Sequence, residues 1–70
     1  MVIEIDGSII ITEEIEQVTP VYPSWDESGA HECFRIYMKT SYCTVRGIEL
    51  KPKRDKIIDI LKKERGIEKI

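Results

Sequence analysis

Seventy residues with a formal net charge of −2 make one domain, residues 1–70, with a small core. A chain of this length buries only about 60% of its unfolded surface on folding. No apolar run approaches a membrane span and the N-terminus lacks the basic-then-apolar pattern of a signal peptide, so the expected setting is cytoplasmic, with no membrane partner.

The charge is segregated. Residues 1–32 hold eight acids and no Lys or Arg, residues 33–49 carry a balance of +2, and residues 50–70 a balance of +4. The acidic part is β-rich and extends to residue 49, and the basic part is a C-terminal helix. The simplest use of such a split is for the two parts to face each other, within one chain or across a dimer. There is no Asn and a single Gln, Gln17, beside abundant Ile, Glu and Lys. Depletion of thermolabile amides with charge enrichment points to a thermophilic prokaryote.

In chain order, Val2–Ile5 reads as a short strand. Asp6-Gly7 is a type I′ turn signal, and Ser8–Ile11 returns as the second strand, with Ile3 facing Ile10 and Val2 facing Ile11. Apolar residues fall on both faces of this hairpin, so it is covered on both sides or lies at an interface. Thr12-Glu13-Glu14 resembles a helix start with a capping hydroxyl. Only one helical turn fits there, and it drops Ile15 into the core. Gln17–Tyr22 reads as a third strand that Pro20 confines to an edge or breaks. Pro23–Glu32, PSWDESGAHE, reads as a long mobile loop holding the only Trp and the only His.

Cys33–Ile48 is the longest stretch obeying strict alternation, the mark of a half-buried strand pair. With Thr40-Ser41 at the tip, Met38 pairs with Cys43 and Ile36 with Val45. Phe34, Ile36, Met38, Cys43 and Val45 then share an apolar face, while Arg35, Tyr37, Lys39, Tyr42, Thr44 and Arg46 share the other. Thr-Ser is a poor type I′ pair, so a four-residue loop of the same parity is the alternative. Cys33 falls opposite Ile48, and the two cysteines point to opposite faces. Both therefore read as free thiols. Gly47–Lys51 leads to a helix over about 52–65, with Pro52 in its first turn, Ile57, Ile58, Ile60 and Leu61 as its apolar stripe, and Gly66 at its C-cap. A loosely held tail, Ile67–Ile70, follows. The fold class is α+β: a small antiparallel sheet of about five strands, a meander of hairpins, with one C-terminal helix packed on its apolar face.

Catalysis needs convergent groups in a pocket. The chain has one His and none of the GxSxG, P-loop, HExxH or CxxC motifs, so no catalytic residue, cofactor or metal is assigned. Asp26, Glu27, His31, Glu32 and Cys33 lie close in sequence, and His31-x-Cys33 would offer two zinc ligands. Regular thiolate spacing is missing, and a solvated acidic loop accounts for them. The role expected is binding or assembly, as a homodimer or with another protein, using Trp25, Tyr37 and Tyr42 as aromatic contacts. Trp25 either serves as such an anchor or folds back to cap the core. The alternative is single-stranded nucleic-acid binding. Arg35, Lys39 and Arg46 interleave with the two tyrosines on an open sheet face, and Lys53 and Arg54 add charge from the helix.

Overall fold

The computed structural model describes residues 1–68 and 70. The described chain forms β1 (Val2–Ile5), β2 (Ser8–Ile11), a 3-10 turn (Thr12–Glu14), β3 (Ile15–Val18), β4 (Tyr22–Asp26), β5 (Gly29–Met38), β6 (Tyr42–Arg46) and α1 (Leu50–Arg65). It is an α+β fold of antiparallel strands with a C-terminal helix on the sheet.

The ten-residue β5 organises the molecule. β6 pairs along one of its edges, Cys33–Tyr37 against Arg46–Tyr42. β3 and β4 pair with it antiparallel as well, so they lie end to end along the other edge. Val18 faces Ile36 and Tyr22 faces Cys33, which leaves Thr19, Pro20 and Val21 opposite Phe34 and Arg35. That surplus residue is a bulge. Pro20 has no N–H to give, and the ladder is completed locally: Thr19 N donates to the Arg35 carbonyl and Arg35 N donates to Thr19 Oγ1, both at 2.9 Å. A side-chain oxygen stands in for the carbonyl that the bulge turns away.

β1 and β2 form a separate two-stranded hairpin in the register Val2–Ile11, Ile3–Ile10. Asp6 and Gly7 take the positive φ angles that a type I′ turn demands. The hairpin runs alongside α1. Lys53 Nζ lies 3.0 Å from Asp6 at its turn, and Thr12 Oγ1 lies 2.9 Å from Glu64 Oε1 at its base. Ile5, Ile10 and Ile15 join Phe34, Ile36 and Val45 of the sheet and Leu50, Ile57 and Leu61 of the helix in one core. Met38 and Cys43 pack at its margin. Arg65 donates to the carbonyls of Ile15 and Thr12, both at 2.5 Å, which ties the last helical turn to the start of the sheet.

Several expectations are corrected. Pro23–Glu32 is a hairpin arm and not a loop: Pro23 faces Glu32, Ser24 faces His31 and Trp25 faces Ala30. A two-residue turn, Glu27-Ser28, joins the strands. Asp26 Oδ1 accepts from Ser28 N at 2.7 Å and Ser28 Oγ at 2.6 Å, and Gly29 sits at φ 110°. Pro23 is tolerated because β4 is an edge strand. β3 starts at Ile15 and ends before Pro20, so Gln17–Tyr22 is not one strand. Of the two readings of the central hairpin the longer one holds: Tyr37 pairs with Tyr42 and the four residues between them make the connection, Thr40-Ser41 being poorly suited to the left-handed geometry of a tighter turn. Every partner moves by two, so the two faces survive, but Cys33 now faces Arg46 instead of Ile48. Thr12 caps nothing. Its buried hydroxyl lies 2.9 Å from the Met1 carbonyl as well as from Glu64. The helix begins at Leu50, two residues early, because Glu49 in the left-handed region (φ 59°) makes the corner from β6 and lets Leu50 into the core. Gly66 closes it as expected, its N–H donating to the Lys62 carbonyl at 2.9 Å. Of the tail, Ile67 and Ile70 are exposed, and Lys69 lies outside the described residues.

Candidate functional site

Two surfaces stand out, on opposite sides of the sheet. The first is the arm. β6 reaches only to the level of Cys33, so the end of β4 and the start of β5 project as a two-stranded ribbon. No residue between Pro23 and Glu32 enters the core. Alternation puts Val21, Pro23 and Trp25 on the helix side of the sheet; Val21 packs against the core, and Trp25 extends outward along the arm. Trp25 is 72% exposed, so it does not fold back to cap the core. At the base of the arm on this side lies a groove of about 720 Å³, with an apolar floor of Pro20, Val21, Leu50 and Pro52 and a charged rim that includes Glu32 and Lys51.

The second surface is the outer sheet face, where Tyr22, Cys33, Arg35, Tyr37, Tyr42 and Arg46 come together. Tyr37 and Tyr42 are directly opposite, with ring centroids 5.7 Å apart and planes tilted by 43°. The Arg35 guanidinium carbon lies 4.7 Å from the Tyr42 ring centroid, a cation–π stack. Arg35 Nη1 donates to Tyr37 Oη at 3.3 Å, and its Nε is buried without an acceptor. The Tyr37 hydroxyl raises the Arg35 pKa against the opposing pull of burial, so the guanidinium stays charged. Among the described residues it has no carboxylate within ion-pair distance. Cys33 is only 1% exposed although it lies on this face. It lies directly opposite Tyr22, whose phenol pKa is raised first by the neighbouring thiol and then by burial.

His31 and Asp26 extend this face onto the arm. His31 Nε2 lies 2.8 Å from Asp26 Oδ2 and Arg46 Nη1 lies 3.7 Å from the same oxygen. The hydroxyl and amide of Ser28, then His31, hold the Asp26 carboxyl at about 2. Its two oxygens are thus committed to the turn, to the His31 imidazole and to the Arg46 guanidinium. The acids and potential ligands of this stretch do not converge. His31 and Cys33 face outward, Glu32 faces the helix side, Glu27 is in the turn, and no group of three or more metal-binding side chains forms among the described residues.

The fold brings Arg35, Tyr37, Tyr42 and Arg46 together, and Lys39 lies exposed in the adjoining β5–β6 loop. It does not add Lys53 and Arg54, which lie across the sheet and are engaged there. Lys53 pairs with Asp6, and Arg54 Nε donates to the Thr19 carbonyl at 2.7 Å. Trp25 stands apart from both tyrosines on the other side of the sheet. Sequence reasoning missed Tyr22, the third phenol of the outer face. Its signal was the odd-numbered alternation running back from Arg35 to His31, which requires a pairing strand upstream. Among the described residues no helix is long and apolar enough to cross a membrane. Comparison with protein-family models, with curated proteins and with solved structures yields no match.

Proposed function

We propose that the chain is a non-catalytic assembly domain that works as a homodimer, each arm carrying Trp25 into the groove of the other copy. The observation that supports it is the arm itself. Ten residues form an ordered hairpin, eight in strands and two in the turn, without contributing to the core, and they hold a largely exposed indole in water. Burying a Trp removes roughly 150–250 Å² from solvent, a central anchor of the kind that dominates interfaces. Arm and groove lie on the same side of one molecule, so a two-fold axis can place each arm over its partner's groove. The arm brings Glu27 to the groove's Lys51, which is 87% exposed at its side chain. The free thiols accord with the reducing, cytoplasmic setting in which we place it.

Sedimentation equilibrium of the full chain tests this. A concentration-dependent dimer in the wild type, abolished by Trp25→Ala with an unchanged urea midpoint, is the expected result. A monomer at every concentration, or a Trp25→Ala variant that dimerises like the wild type, would sink the proposal.

A further inference from the structure

The outer sheet face has an unmet requirement that assembly through the arm does not answer. Arg35 is a half-buried cation at the centre of β5, and no acid among the described residues balances it. Charges withdrawn from water are ordinarily paired. Its partners are instead an aromatic ring and a phenol at the long end of hydrogen bonding. Its Nε edge is sealed inward with no acceptor, so any balancing charge has to come from the open side.

What surrounds that open side defines the ligand. Tyr22, Tyr37 and Tyr42 all lie close enough to act on the Arg35 charge, and phenol hydroxyls donate well to an oxyanion. A guanidinium fork matches the tetrahedral oxygens of a phosphate. Tyr42 is 56% exposed, with Arg35 against one side of its ring, and a planar base can stack on the exposed part. Arg46 is on the same face two residues along β6 from Thr44, the cross-strand neighbour of Arg35, a spacing of roughly 7 Å. A neutral or aliphatic ligand would leave the cation unanswered, and a bare inorganic anion would leave the ring unused.

We propose that this face binds a phosphate ester carrying a planar base, with the phosphate on Arg35 and the base on Tyr42. The same chemistry is offered by a free nucleotide and by a single nucleic-acid strand. The site is across the sheet from Trp25, so it stands or falls independently of dimerisation.

The test is an amide NMR titration of the labelled full chain at low salt with four probes: adenosine monophosphate, adenosine, inorganic phosphate and a short deoxythymidine oligonucleotide. Adenosine monophosphate is expected to shift the amides of residues 35, 37, 42, 44 and 46. Adenosine or phosphate alone should bind about tenfold more weakly, since each lacks one of the two contacts. Equal affinity for nucleotide and strand would identify a free nucleotide as the ligand. A tighter, more salt-sensitive strand would identify nucleic acid. Arg35→Gln should abolish the response. Because Arg35 is part of the sheet, Tyr42→Leu at the exposed position supplies a second check, weakening nucleotide binding while sparing phosphate. No shift at these residues with any probe, shifts confined to the helix lysines, or identical titrations in wild type and both variants would overturn the proposal.

Discussion

Ile9 and Ile10 are the same residue type, adjacent in one strand, and the fold gives them opposite fates. Ile10 is 2% exposed and faces Ile3 on the inner side of the hairpin, whereas Ile9 is 66% exposed and faces Glu4 on the outer side. Truncating each to Ala therefore isolates packing from propensity. Ile10→Ala deletes three buried carbons beneath the helix and should cost about 2–5 kcal/mol, the transfer loss plus the cavity left behind. Ile9→Ala removes carbons already in water and should stay within about 0.5 kcal/mol. A domain of this size has only about 3.5–10 kcal/mol in total, so Ile10→Ala spends a large share of it. At about 4–8 °C per kcal/mol for a domain of this length, its melting temperature should fall by at least ~8 °C. Urea unfolding gives both values, with an unchanged m-value confirming that stability alone has moved. Equal costs at the two positions would show that the outer face is covered as well. A larger cost at Ile9 would mean that the register is wrong by one residue.

Other expectations follow from particular contacts. Thr19→Val removes the oxygen that accepts from Arg35 N and should destabilise by about 1–3 kcal/mol, the cost of an orphaned backbone donor; Thr19→Ser, which restores the oxygen, should recover most of it in the same urea assay. Trp25 emission should match indole in water at low concentration and shift to the blue as concentration rises into the dimer range; a blue-shifted dilute sample would contradict the exposed arm. Asp26 is depressed to about 2 from an ordinary 3.8, so its contribution to stability is full above about pH 4 and is lost as pH falls towards 2, where the folded-state carboxyl takes up its proton. The Ser28 amide resonance should titrate in that low window, and a midpoint near 4 would refute the hydrogen-bonded turn.

The parts of the fold that were legible in the chain are those with a strong period. Asp6-Gly7 between isoleucine pairs specifies the first hairpin, and alternation from Phe34 to Arg46 specifies two faces even where the loop length was uncertain, since a shift of two residues leaves faces unchanged. The helix was legible from its isoleucine stripe and Gly66. The arm was not, because Pro23, Ser24, Asp26, Glu27 and Ser28 have the composition of a loop. Its order comes from pairing with β5 and from the Asp26 carboxylate gripping Ser28. The available clue was Asp26 followed three residues later by Gly29, the end positions of a favoured turn. At the outer face, Arg35, Tyr37, Tyr42 and Arg46 were legible as neighbours by parity alone. The engagement of Lys53 and Arg54 on the helix side was not, because their partners, Asp6 and the Thr19 carbonyl, come from distant parts of the chain.

The bulge at Thr19-Pro20-Val21 absorbs one surplus residue without changing which way the strand that follows it faces. In an uninterrupted strand Val18 and Val21, three residues apart, would point to opposite sides; the extra residue lets both face the helix. Remove one residue there and the ladder becomes regular, with Val18 still opposite Ile36 and Tyr22 still opposite Cys33. The arm would keep its faces, because Ala30 and His31 belong to the unbroken β5 and Trp25 follows Ala30. The bulge is thus one residue of slack, a point where chain length can change by one without moving the indole from the groove side or the imidazole from the tyrosine side.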